Sequence, residues 1–522
     1  MPLVSQRYKY ARLHLIATLV VVASLILLWA EWRHGIGVTP DSAIFVSAAD
    51  SLVSGHGLTT EVGQPRLPLT HHPPLYPLLL AAGKLLTGSY YSAAMLLNLL
   101  SFASCCLVLY LFMNEHGSPR AALIAIILLI SSTALYSVDY SLGTDGLAIP
   151  VMLTGLYCLS NYQRTGRFRA LITCAVALSL ASLLRYSYVA FLPAMCLALM
   201  MMNHGDVWKK LRLTAMLAGI AGAPTLAVLA VNKLLAGNAT NRVLALHPVS
   251  ANELKDGIDY LSGWLLPYRY PLPLRTLALL FVAAIGIVLP LDTRIKNGLR
   301  TGAIFISSYV ILVLISISLF DGATPLSERL LAPVIVIACA HIALIACWIW
   351  SHRRPFGMLA AAGLVLVPSA AGLARVLPQV VSLYQYEEQG NSIAKLRNDF
   401  AEIIPILQTL PSAAPVYSNV PHEIYLVTGR PARALPVVKG YTDEQPRTEA
   451  AISSQVHELA EGISRLHGLV LYKVRTKTLF DLSFIDSDQL FDRLPLSLKF
   501  ASQKFVIYGA APADEAALTP GP

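Results

Sequence analysis

Long stretches of this chain are almost uninterruptedly apolar, and short polar, basic or Pro/Gly-containing stretches separate them. Runs of about 18 or more such residues read as helices that cross a membrane. The first is Leu13–Trp29, behind a basic head of Arg7, Lys9 and Arg12. It is longer than a signal-peptide core, and Glu31-Trp32-Arg33-His34 follows it where a small-residue cleavage site would stand, so it reads as a retained anchor. Further spans fall near 91–113, 121–138, 146–160, 170–184, 187–202, 213–235, 274–291, 301–320, 330–350 and 356–377. The pattern therefore predicts an α-helical polytopic membrane domain over residues 1–377, with about eleven transmembrane helices. Leu75–Leu86 is apolar but too short to cross, and reads as a helix at the interface.

The pattern changes after residue 377. Ala394–Leu410 and Ser453–Leu466 have helical spacing, whereas Ala414–Ser418, Glu423–Val427, Leu469–Val474 and Lys504–Ile507 read as short strands. Gly429-Arg430-Pro431 is a breaker, and Ala510–Pro522 reads as a frayed end. Residues 378–522 are thus expected to form a small α/β soluble domain.

Composition agrees with this division. Of 522 residues, 55% are hydrophobic and only 13% charged, against about 25% charged in soluble domains; the mean hydropathy is +0.60. A disordered chain, a disulfide scaffold and an ordinary cytosolic enzyme are excluded. All seven cysteines fall in apolar segments, where they act as small hydrophobes. The net charge of +9 does not call for nucleic acid, because Lys and Arg concentrate in cytoplasmic loops of membrane proteins. With the N-terminus inside, the short inner loops hold about fifteen Lys and Arg in roughly fifty residues, and the outer loops hold about eight in at least twice that length. That orientation puts the long loops near 31–90 and 237–273, and the tail, outside. Function is expected on that face.

The candidate chemistry lies there. Asp41 follows Pro40 at the start of an amphipathic segment, and is either a helix N-cap or a catalytic carboxylate at the membrane edge. Asp50 lies nine residues on, on the opposite helix face, so the two are not a glycosidase-like pair. His71-His72-Pro73-Pro74 offers two imidazoles beside a rigid Pro pair. It is either a solvated turn or, with Arg66, a seat for a phosphate headgroup. Asp139 and Asp145 flank a tight outer turn, where Asp145 can cap the helix from Gly146. Arg185 sits where two spans nearly meet, and either snorkels or meets a phosphate. Asp321 and Ser327-Glu328-Arg329 precede the tenth span, with Glu328–Arg329 a candidate rim ion pair. His422, in the tail, reads as a loop histidine.

Residues 39–80 resemble the polytopic GT-C glycosyltransferases, in the bacterial branch related to protein O-mannosyltransferases and the lipid A aminoarabinose transferase. The resemblance rests on the run Asp41, Phe45, Ala49, Leu52, Gly55 and Gly57, followed by His72-Pro73-Pro74-Leu75-Tyr76. It implies an inverting hexosyl or pentosyl transfer on the outer, periplasmic face of a bacterial inner membrane. The donor would be a polyprenyl-phosphate-linked sugar and the acceptor a glycan, lipid or protein. Asp41 matches the family's catalytic carboxylate and Asp145 its second acidic residue. His72, with His71, stands where relatives carry Lys; Arg185 and Arg329 match basic positions that meet the lipid phosphate. Two carboxylates at one cavity could coordinate a divalent cation or orient sugar hydroxyls, and no cofactor is certain. A lipid or oligosaccharide transporter or flippase, or a non-catalytic scaffold, are the alternatives. A transporter would be expected to carry its charges mid-span and to show matching halves.

Overall fold

The computed structural model describes residues 2–202, 206–242, 244–288, 293–320, 324–352, 355–387, 390–439, 445–474, 484–485, 490, 493–494 and 496–510. The chain opens with α1 (Pro2–Glu31), α2 (Pro40–Val53), a hairpin of β1 (Thr59–Thr60) and β2 (Leu67–Pro68), α3 (Leu75–Thr87) and α4 (Tyr90–His116). There follow α5 (Pro119–Ile130), α6 (Thr133–Tyr140), α7 (Asp145–Thr165), α8 (Phe168–Leu184), a 3-10 turn at Tyr186–Ala190 and α9 (Phe191–Met200). The bundle is completed by α10 (Val207–Ala236), α11 (Ala251–Leu265), α12 (Leu272–Val288), α13 (Thr293–Phe320), α14 (Glu328–Ser351) and α15 (Pro355–Gln385). A helix or helix pair occupies each apolar stretch expected to cross. Among the described residues six helices are long and apolar enough to span by length and composition, or seven if α5 and α6, bent by 57°, count as one. The stretch Leu75–Leu86, expected as an interfacial helix, is the short α3 of 13 residues.

The tail contains α16 (Ile393–Asp399), α17 (Ile404–Thr409), β3 (Val416–Ser418), α18 (Pro421–Thr428), β4 (Arg433–Ala434), α19 (Glu449–Leu466), β5 (Leu469–Lys473), β6 (Leu496–Ala501) and β7 (Phe505–Ala510). Its sheet runs in the order β4-β3-β5-β7-β6. β3 pairs in parallel with β4 and β5, while β7 pairs antiparallel with β5 and β6. The α/β character is as expected, but Glu423–Val427 is helical. Pro421 starts α18 where a missing N–H costs nothing, and Gly429 ends it at φ +71°. The single helix expected over Ala394–Leu410 is divided into α16 and α17. Asp321 and the end beyond Ala510 lie outside the described residues.

Two backbone clamps bring the loops together at one end of the bundle. Gly37 N donates to Tyr140 O (3.1 Å) and Leu142 N to Gly37 O (2.8 Å), joining the segment before α2 to the α6–α7 loop. Ser42 Oγ donates to Leu142 O (2.6 Å). A Cβ on Gly37 would meet the Tyr140 ring, so this close approach requires glycine. The tail docks on the same loops. Val38 N donates to Asn391 O (2.9 Å), and Ala434 N to Gly63 O (2.9 Å); Tyr91 Oη donates to Leu426 O (2.8 Å).

Candidate active site

The site is assembled from helix ends. Thr39 is extended and caps α2, with its backbone N–H donating to Ser42 Oγ (2.9 Å). Pro40 fills the first helical position, so Asp41 is not the cap; it sits in the first turn with its side chain 35% accessible. The unpaired N–H groups of that turn favour a carboxylate there. Asp145 likewise lies inside the first turn of α7, after Thr144, and is buried. Arg329 is in the first turn of α14, and Arg185 joins α8 to the 3-10 turn.

These four side chains form one ionic chain. Arg329 Nη2 lies 3.3 Å from Asp41 Oδ2, and its Nε lies 3.0 Å from Asp145 Oδ2. Arg185 Nη1 donates to Asp145 Oδ1 from the other side. The expected Glu328–Arg329 rim pair does not form; Glu328 accepts a hydrogen bond from Thr133 Oγ1 instead. Arg185 is paired rather than snorkelling. His72 is largely buried, edge-on to Phe45 at 4.8 Å between ring centroids, with Nε2 3.8 Å from Asp41 Oδ1. His71 packs edge-on against His72. Both imidazoles therefore belong to a packed wall and not to a solvated turn.

Five of the six expected residues, Asp41, His71, His72, Arg185 and Arg329, line one cavity of about 460 Å³; Asp145 is not in its wall but pairs with both Arg185 and Arg329. Leu184, Val313, Ile317 and Leu330 supply an apolar wall beside them. Arg242, from the loop after α10, also lines it and was not anticipated; it sits in an aperiodic loop with no motif around it. The cavity lining carries three guanidiniums and one carboxylate, Asp41, and stays net positive even when Asp145, paired with two of the arginines, is counted. The other expected candidates lie elsewhere. Asp50 receives hydrogen bonds from Lys84 Nζ (3.3 Å) and Tyr90 Oη (2.9 Å). Arg66 is paired with Glu61 in the hairpin. Asp139 is buried at the end of α6, with Asn98 Nδ2 donating to its backbone carbonyl (2.7 Å).

Burial alone pushes the Asp41 carboxyl up, but His72, Arg329, Arg185 and His71 outweigh it and hold it at about 2. Burial, with the positive charge of His71, Arg185 and Arg242 adding to it, pushes His72 down to about 3 although Asp41 opposes this. His72 is therefore neutral at pH 7, and there the cations facing Asp41 are the arginines. His422, in the first turn of α18 close to Asp41, is likewise lowered to about 4 by burial. As for a divalent cation, the Arg329 guanidinium stands between the two carboxylates where a shared ion would lie. Among the described residues no three His, Cys, Asp or Glu side chains converge as ligands. The arrangement does not fit a metal, and no step below uses one.

Residues 71–231 match the family model described as dolichyl-phosphate-mannose-protein mannosyltransferase. No curated protein sequence matches the chain. Solved structures resemble it over nearly its full length. ArnT from Cupriavidus metallidurans, bound to undecaprenyl phosphate, has a TM-score of 0.59 at 14% identity, covering 95% of this chain and 99% of that one. The arabinofuranosyltransferase AftD from Mycobacteria gives 0.54 at 14% identity, over 95% of this chain and 40% of that one. The Archaeoglobus fulgidus oligosaccharyltransferase gives 0.51 at 12% identity, over 87% and 68%. With its helical bundle, its docked C-terminal sheet and these neighbours, the chain has the fold of the GT-C superfamily of polytopic membrane glycosyltransferases.

Proposed function

We propose that this protein transfers a sugar from a polyprenyl-phosphate donor to an acceptor hydroxyl or amine at the outer face of the membrane, with inversion at the anomeric carbon. The observation that carries the reading is the cavity where Asp41 lies between His72 and Arg329, with Arg185 and Arg242 in the same walls. A net-positive pocket with one apolar wall suits a phosphate on a lipid. ArnT, which shares the fold, is described bound to undecaprenyl phosphate.

In the reaction the acceptor oxygen or nitrogen attacks the anomeric carbon as the bond to the phosphate oxygen breaks, through an oxocarbenium-like state. The lipid phosphate leaves with the bonding electrons, and the acceptor proton passes to Asp41. Arg329, Arg185 and Arg242 stabilise the departing anion in a partly dry site, where such contacts are strongest. Asp145, held between two guanidiniums, acts as a positioning residue for both. Neutral His72, with His71 packed against it, offers the donor headgroup a hydrogen bond and not formal charge.

A carboxyl held near 2 is a weak base. Donor binding supplies the remedy, because a phosphate beside Arg329 and Arg185 cancels part of the field that depresses Asp41 and makes it more basic. The ion-paired helix-end cluster is also unlike a transport path, which would run along a span. Titration of purified protein with undecaprenyl phosphate tests the reading. Wild type should bind, and Arg329→Ala should bind at least tenfold more weakly; equal affinity would remove the phosphate from this cavity.

A further inference from the structure

A second basic cavity lies at the opposite end of the bundle. It measures about 200 Å³, and Arg164, Lys209 and Lys210 meet there with Tyr162 and the apolar side chains of Leu199 and Leu213. α7 sets its distance from the candidate active site. That helix begins at Asp145 and ends at Thr165, 21 residues on, so it spans about 31 Å. The hydrocarbon core of a bilayer is about 30 Å thick. The two cavities therefore lie about one hydrocarbon thickness apart along α7.

We infer that this cavity seats the headgroup of an anionic phospholipid from the leaflet opposite the catalytic one. Lys and Arg on that face are ordinary in membrane proteins, but three observations go beyond a scatter of surface charge. The cations converge on a concave site with an aliphatic wall, so a phosphate and the start of an acyl chain can be held together. Exposed Trp208 (73%) and Phe168 (53%) flank it, as aromatic side chains do at the headgroup level. Lys209 and Lys210 also stand in the first turn of α10, where the helix's own partial positive charge opposes them. A bound anion at that end relieves the repulsion.

Local partners set the geometry. Arg164 pairs with Glu115, and Lys210 Nζ donates to Met202 O. Asp206 caps α10 by accepting a hydrogen bond from Lys209 N (2.7 Å). The Lys209 side chain is exposed at the cavity rim and is the cation best able to reach an incoming phosphate. Lys209→Glu is therefore the informative change. It places an acid in the first turn, which suits the helix dipole and leaves the Asp206 cap in place, so the variant should fold at least as well as wild type. Lys209→Arg keeps the charge.

The test is native mass spectrometry and thermal unfolding of the full chain in detergent, with phosphatidylglycerol, phosphatidylcholine or inorganic phosphate added. Phosphatidylglycerol should be retained by wild type and Lys209→Arg and should raise their Tm. Lys209→Glu should bind one phosphatidylglycerol fewer, with affinity lowered at least about fivefold. Phosphatidylcholine and inorganic phosphate should give neither effect. Equal retention of both lipids, or full retention by Lys209→Glu, would overturn the inference. A response to inorganic phosphate alone would make the site one for a free anion and overturn its assignment to a lipid.

Discussion

Replacing Asp41 by Asn separates the structural and chemical roles of that carboxylate. The structural cost is small. Thr39 and Ser42 hold the start of α2 without it. The pair with Arg329 is 3.3 Å long and more than a third accessible on both sides, so it contributes about 0–1 kcal/mol. The favourable position in the first helical turn adds about 0.3–1 kcal/mol. Arg329 keeps Asp145 as a partner. Stability should therefore fall by at most about 2 kcal/mol. The chemical cost is larger, because Asn takes no proton and loss of a general base lowers rates about 10²–10⁴-fold. Even the lower figure corresponds to about 2.7 kcal/mol of barrier. The assay is transfer of a labelled sugar from polyprenyl phosphate by purified variants, with thermal unfolding in parallel. A folded Asp41→Asn protein at least a hundredfold slower than wild type, beside a near-normal Asp50→Asn control, is the expected result. Retention of most activity by Asp41→Asn would refute the assignment, and loss of activity in Asp145→Asn alone would move the base to the α6–α7 loop.

Acid should destabilise the protein through its buried imidazoles. Unfolded histidines take up protons near pH 6.5, whereas folded His72 and His422 resist until about 3 and 4. Stability should thus be lost as pH falls from about 7 toward 4, by at most about 1.4 kcal/mol per pH unit and group, and His72→Gln should flatten the Tm–pH curve; an unchanged curve contradicts the burial argument. The depressed Asp41 adds a further loss only between its unfolded value near 4 and about 2. If the donor phosphate raises Asp41, the acid limb of kcat should lie at higher pH than that of kcat/KM; coincident limbs would exclude the effect. Arg242→Ala should weaken undecaprenyl-phosphate binding by about 1.5–3 kcal/mol, the value of a charge-assisted contact, and calorimetry showing wild-type affinity would remove it from the site. Gly37→Val should cost about 1–3 kcal/mol by overpacking against Tyr140 and slow transfer by spreading the Asp41 and Asp145 loops; a wild-type Tm and rate would contradict the clamp.

Much of the site was legible because a membrane protein cannot leave charge among its apolar runs without a reason. Asp41, His71, His72, Asp145, Arg185 and Arg329 each interrupt an apolar pattern at a helix end; five of them line the same cavity, and Asp145 pairs with its two arginines. Their pairing was not legible. Glu328–Arg329 are adjacent in sequence, yet neighbours on a helix point about 100° apart, and each found a partner from another element. The cap was misjudged by two positions because proline prefers the first helical position, which moves the cap to Thr39. The apolar Glu423–Val427 run has a strand's composition; Pro421 and Gly429 outside it decide for a helix. β6 was not anticipated although Leu496, Leu498 and Phe500 alternate with Ser497 and Lys499; the strand is short and lies at the sheet edge, where even Leu498 is exposed. Arg242 had no signal: only the folding of the loop after α10 over the cavity brings it there.

The central claim is that a polyprenyl-phosphate sugar is consumed at the Asp41 cavity. Lipid extracts of cells carrying only Asp41→Asn protein, compared with wild-type cells, test it most directly. The account predicts that a polyprenyl-phosphate sugar accumulates in the variant, as it would in cells lacking the protein, and disappears when wild-type protein is restored. Identical lipid-linked sugar profiles in all these cells would contradict it.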